Sequence, residues 1–139
     1  MGDPAGIGPE IVVKALVSEN VKNQANCVVI GDKSVLEKNA EICGISASFN
    51  VISSVEEADF SSDVINLIDL QNAPLGSFEP GKVSDVCGKA AFEYIKKSIE
   101  IALEKKADAV CTPPINKESL RAGLVPYIGH TEIFGELTD

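Results

Sequence analysis

Three short apolar runs constrain this chain more than any other feature: Cys27 to Ile30, Val64 to Leu70 and Ala107 to Thr112. Between them lie segments whose apolar residues recur at helical spacing. Continuous runs such as Val28-Val29-Ile30 suit strands covered on both faces. Strands alternating with helices argue for an α/β fold, an open sheet with helices on both faces. The chain has 139 residues, 45% hydrophobic and 24% charged, which is enough to bury a core and excludes disorder or a coiled coil.

The elements follow from local signals. A helix is predicted over 9–19, with Pro9 at its first position and Ile11, Val12, Ala15 and Leu16 sharing a face. A second is predicted over 34–43, with Val35, Leu36, Asn39 and Ile42 in phase and Gly44 as its stop. Residues 47–52 alternate loosely and read as a strand, and 71–83 as a loop rich in Pro and Gly. Ser84 caps the longest helix, 85–106, whose apolar stripe is Ala91, Ile95, Ile99, Ala102 and Leu103, with Glu93 and Lys97 paired on its wet side. Short helices are expected at 116–122, stopped by Gly123, and from Thr131 onward.

Charge and cysteine usage remove several function classes. Twelve basic against 21 acidic residues leave a net charge of −9, which repels nucleic-acid backbones and anionic membranes. No apolar run reaches the roughly 20 residues that span a bilayer, and the start lacks the pattern of a signal peptide, so a cytoplasmic protein is expected. Cys27, Cys43, Cys87 and Cys111 form no C-x-x-C pair and read as reduced thiols, mostly in the core. His130 is the single histidine, and with no cysteine cluster beside it no metal site is expected from this chain alone.

Three segments could carry chemistry. Gly2-Asp3-Pro4-Ala5-Gly6-Ile7-Gly8-Pro9-Glu10 leads into a helix and suits either a ligand loop or a tight connection needing glycines for geometry alone. Thr112-Pro113-Pro114-Ile115-Asn116-Lys117-Glu118 follows an expected strand, where α/β sheets bind ligands. There Asn116 and Lys117 either bind an anion or serve as a helix cap and a solvated charge. Gly129-His130-Thr131-Glu132 opens a helix, so an imidazole, a hydroxyl and free amides form a cradle for phosphate or carboxylate. Alternatively Thr131 is a cap and His130 a surface residue.

Together and in this order, residues 2–9, 114–117 and 129–132 closely resemble the 4-hydroxythreonine-4-phosphate dehydrogenase family of vitamin B6 (pyridoxine and pyridoxal phosphate) biosynthesis. The likeness extends to Val83-Ser84, Gly88-Lys89-Ala90-Ala91 and the 107–112 run. The wording of Pro-Ile-Asn-Lys-Glu and Gly-His-Thr-Glu-Ile leans towards the family's 4-phospho-D-threonate and 4-phospho-D-erythronate branch.

The resemblance implies NAD-dependent oxidation, with decarboxylation, of a phosphorylated hydroxy-amino or hydroxy acid. The first expectation is 4-phosphohydroxy-L-threonine; the alternative is 4-phospho-D-threonate or erythronate. It also implies the two-domain fold of isocitrate and isopropylmalate dehydrogenases, and a homodimer. A divalent metal (Zn, Mg or Co) would be held by histidines that this chain does not contain. His130 and Thr131 match the family's substrate-contacting pair, and Asp3, Asn116 and Lys117 are further site candidates. Residues 1–139 are thus expected to be the N-terminal part of a two-domain enzyme, without its first strand and C-terminal half, and inactive alone. A non-catalytic anion-binding α/β module is the reading from another class.

Overall fold

The computed structural model describes residues 1–139. Its sheet has three parallel strands, β1 (Val28–Gly31), β2 (Phe49–Val51) and β3 (Ile65–Asp69), in the order β1-β3-β2. β3 is central, pairing Val29 with Leu67 on one edge and Val51 with Leu67 on the other. Ile65, Asn66, Leu67 and Ile68 are all buried, so both faces of β3 are covered, as its apolar run requires.

The expected 9–19 helix is two: α1 (Gly8–Leu16) and α2 (Glu19–Lys22), separated where Ser18 turns extended. The buried face of α1 is centred on Val13, while Ile11 is 42% exposed. In α3 (Lys33–Ile42), Val35, Leu36 and Ala40 are buried and Ile42 is exposed, so the packed face is rotated from the expected one. Gly44 ends α3 with φ +65°, a left-handed position that glycine adopts freely.

The long helix α4 (Asp85–Leu103) starts where expected, with the Ser84 hydroxyl accepting the Cys87 N–H at 3.3 Å. It stops three residues early. Lys105 turns left-handed at φ +59°, while the Lys106 and Lys105 amides bond back to Ile101 and Ala102, closing the helix. Leu103, the last residue of α4, is exposed, and Lys97 pairs with Glu100 at 3.3 Å in place of Glu93. A buried carboxylate joins α4 to the sheet: Asp32 accepts the Tyr94 hydroxyl at 2.6 Å and the backbone N–H of Ala73 at 3.1 Å. Burial and this carboxylate hold the Tyr94 phenol well above its ordinary pKa, so it stays a donor.

The expected strand 107–112 does not form. Residues 107–113 make no backbone–backbone hydrogen bond, and Asp108, Ala109, Cys111 and Thr112 are exposed. A strand requires a neighbour. β1 gives one edge to β3, and its other edge receives only the Met1 amine, on the Ile30 carbonyl at 2.8 Å. Met1 to Asp3 occupy that flank and reach the other side through the Asp3 N–H, bonded to the Pro114 carbonyl at 3.0 Å. All four cysteines are free, but only Cys87 is buried; Cys27 and Cys43 are half-buried and Cys111 is exposed, so the thiols are not mostly in the core. No helix is long and apolar enough to cross a membrane.

Helices α5 (Lys117–Ala122) and α6 (His130–Thr138) pack on α4. Gly88 and Gly123 allow the α4–α5 approach: a Cβ at Gly88 would lie 1.8 Å from the Ser119 carbonyl oxygen, and one at Gly123 2.9 Å from that of Asp85. Gly123 is not the left-handed stop of α5; that position falls on Leu124, at φ +56°. The 1.8 Å overlap at Gly88 cannot be relieved without moving a helix, so Gly88→Ala should destabilise the fold by about 3 kcal/mol. Gly135→Ala, in an open stretch of α6, should instead stabilise it by about 0.5–1 kcal/mol. Urea denaturation of the two variants checks both signs.

Candidate functional site

The first segment is a folded turn. Asp3 is buried, its Oδ1 accepting the Ala5 N–H at 2.8 Å and its carbonyl the Gly6 N–H at 3.0 Å. Burial pushes the Asp3 carboxyl up from its ordinary range; the bond from the Ala5 amide opposes the rise. Gly2 and Gly8 sit where a Cβ would meet the Pro114 and Met1 carbonyl oxygens at 2.5 and 2.4 Å. The two glycines thus serve close backbone packing, which docks this loop on the second segment.

The second segment opens α5. The Asn116 side-chain oxygen accepts the Glu118 and Ser119 N–H groups at 2.9 and 3.0 Å, as an N-cap. Lys117 forms no ion pair within the chain, although the chain is strongly acidic. Its Cε lies 3.5 Å from where a Cβ on Gly129 would stand, so the side chain runs across the start of α6. A cleft of about 460 Å³ lies between the first two segments, lined by Asp3, Gly6, Lys82, Asn116 and Lys117. Lys82 was not among the sequence candidates because it sits in the 71–83 loop. The Gly81 N–H on the Ala5 carbonyl at 2.7 Å and the Ser84 N–H on the Ser119 hydroxyl at 3.2 Å hold it there.

The third segment begins α6 without a side-chain cap: Gly129 is the N-cap residue and Thr131 lies inside the helix. The amides of His130, Thr131 and Glu132 find no acceptor in the chain, and neither the Thr131 hydroxyl nor the His130 ring is hydrogen-bonded. Free N–H groups at a helix start, with the positive end of its dipole, attract an anion. Ile133, fully buried against Ile95 and Ile99, fixes α6 on α4. The structure thus gathers Asp3, Asn116 and Lys117 around the cleft and lays the Lys117 stem against the turn that presents His130 and Thr131.

No three His, Cys, Asp or Glu side chains stand close enough together to hold a metal ion. A smaller depression of about 90 Å³ at the other end of the strands offers little chemistry. Its Asn66 side-chain oxygen already accepts the Asn50 side chain and the Asp59 N–H, both at 2.9 Å.

Burial lowers the His130 imidazole below its ordinary pKa of 6.5. The unfolded chain then binds the proton more readily, so this residue's contribution to stability falls as pH drops through the window below 6.5. His130 should titrate with a midpoint below 6.5 by NMR, and should move upward when inorganic phosphate binds beside it.

Comparison with known proteins sets these features in a family. Residues 23–139 match the family model described as Pyridoxal phosphate biosynthetic protein PdxA. A curated relative from Fusobacterium nucleatum, named "Putative D-threonate 4-phosphate dehydrogenase", is 55% identical over the whole of this chain and 42% of its own length. The crystal structure of a 4-hydroxythreonine-4-phosphate dehydrogenase from Burkholderia phymatum superposes on 99% of this chain with a TM-score of 0.95 at 42% identity. A Klebsiella pneumoniae structure of the same name gives 0.92 at 37%. Each solved chain is matched over 42% of its length, so this chain spans well under half of its relatives.

Proposed function

Because this chain belongs to the PdxA family of pyridoxal phosphate biosynthetic proteins, we propose that the full-length protein is an NAD-dependent dehydrogenase of a phosphorylated hydroxy acid. D-threonate 4-phosphate is the favoured substrate, supported by the name of the 55% identical relative. In this reading the enzyme works in the cytoplasm as a homodimer. Bound NAD would supply a hydride acceptor for C3 of the secondary alcohol; the hydroxyl proton would pass to solvent, and the resulting β-keto acid would lose CO2. A divalent metal, when bound by residues outside this chain, would supply Lewis-acid polarisation of that alcohol.

These 139 residues contribute binding. The observation that carries the assignment is the uncapped start of α6, with free amides, the unbonded Thr131 hydroxyl and the His130 ring beside the Lys117 stem. Such a cradle holds an anionic group of the substrate and fixes the reacting carbon relative to the cofactor. Hydride transfer needs no histidine nucleophile, so His130 and Thr131 bind substrate. Lys117 adds a positive charge; Asn116 holds the end of α5 that presents it, and Asp3 the loop against which α5 packs.

The second reading, 4-phosphohydroxy-L-threonine, is favoured by the family description and by the name of the Burkholderia enzyme. It differs in carrying an ammonium at C2 where the threonate has a hydroxyl. A charged hydrogen bond contributes about 1.5–3 kcal/mol, so His130→Ala in the full-length enzyme should raise the substrate KM about 10- to 100-fold and leave the NAD KM unchanged. A normal KM with lost turnover would make His130 an acid or base instead. Assaying both phosphorylated acids decides the substrate, and no reduction of NAD with either would leave the anion-binding module.

A further inference from the structure

Glu132 completes the Gly129-His130-Thr131-Glu132 segment and has no part in the function assigned above. Its side chain makes one contact of consequence: Oε2 accepts the backbone N–H of Ile128 at 2.5 Å. That bond spans the two residues that bear the binding groups. On one side of the span is Ile128, the last residue of the loop from α5; on the other is the first turn of α6. Between them Gly129 is fully extended, with φ −179° and ψ −169°. Glycine has the softest backbone of any residue, so local sterics at Gly129 do not set how the loop ending at Ile128 meets the start of α6, which Ile133 anchors on α4.

We propose that Glu132 is a positioning residue for the anion cradle. By holding the Ile128 amide it closes a loop over residues 128–132 and sets the direction in which the His130 ring, the Thr131 hydroxyl and the free amides face. The bond has a second effect. A carboxylate at the third helical position could fold back on the first-turn amides or repel an incoming anion. Directed outward onto Ile128, it leaves the His130 and Thr131 amides unoccupied. The work is done by the acceptor oxygen and its reach, not by the charge. Glu132 forms no ion pair in the chain, and its carboxylate keeps no other hydrogen-bond donor.

This inference rests on His130 and Thr131 binding the substrate, and the experiment separates the two. In the full-length enzyme, Glu132→Ala should raise the KM for the phosphorylated substrate about tenfold, because binding groups off position lose most of their effect. The KM for NAD should not change. Glu132→Gln, which keeps an acceptor oxygen at the same reach, should rescue the substrate KM to within about threefold of the parent. If the alanine variant does not fold, Glu132→Asp, one methylene too short to reach Ile128, carries the same expectation. A parental substrate KM in the Ala or Asp variant, with only the melting temperature lowered, overturns the proposal by making Glu132 purely structural. A glutamine variant as impaired as alanine overturns it too, because charge would then be the active property. An unchanged KM in His130→Ala removes the cradle itself, and with it the reading on which this one stands.

Discussion

The arrangement of the site depends on one close approach, that of α4 to α5 at Gly88 and Ser119. With no Cβ on Gly88, the Ser119 carbonyl sits against the α4 backbone, where any side chain would displace it. Ser119 is fully buried there, and its hydroxyl accepts the Ser84 N–H at 3.2 Å. The loop of Asp3 is tied to the chain just before α5 by its own N–H, which donates to the Pro114 carbonyl at 3.0 Å. The contact between helices therefore sets the start of α4 against the start of α5, and the Asp3–Pro114 bond adds the turn at residues 2–6. Asn116 and Lys117 come to line the cleft as a consequence of backbone packing.

A second, apolar anchor brings in the third segment. Ile133 is buried between Ile95 and Ile99 on the far part of α4, so α4 carries both candidate anion-binding elements. The acidic chain then leaves Lys82 and Lys117 without carboxylate partners around the cleft while most other lysines are paired at the surface. Surface pairs contribute little to stability. An unpaired lysine beside free helix amides is more consequential, because a bound anion can satisfy both at once.

Packing also explains where local signals misled. Helix periodicity identified α1, α3 and α4, but the buried stripe was displaced on α1 and α3, because which face is covered depends on what the sheet presents. Lys105 and Leu124 end their helices in left-handed conformations that their side chains disfavour, with φ of +59° and +56°. Gly123, which looked like the stop of α5, is glycine because α4 passes close by. The 107–112 run has the composition of a strand, yet no strand lies beside it with which to pair.

By itself the sequence determined the α/β class, the buried character of β1 and β3, the Ser84 cap and the order of three motif segments. These follow from short-range periodicity, capping and turn chemistry, together with resemblance carried by contiguous residues. The tertiary structure alone decided which motif groups are free to bind and which are spent on the fold. The Asp3 carboxyl and the Asn116 oxygen are held by backbone amides, while His130, Thr131 and Lys117 remain unpartnered. It also decided that Glu132 holds Ile128 and that Lys82 faces the cleft. Periodicity reports which residues face inward; whether a polar group is already satisfied depends on partners brought together only by the folded backbone.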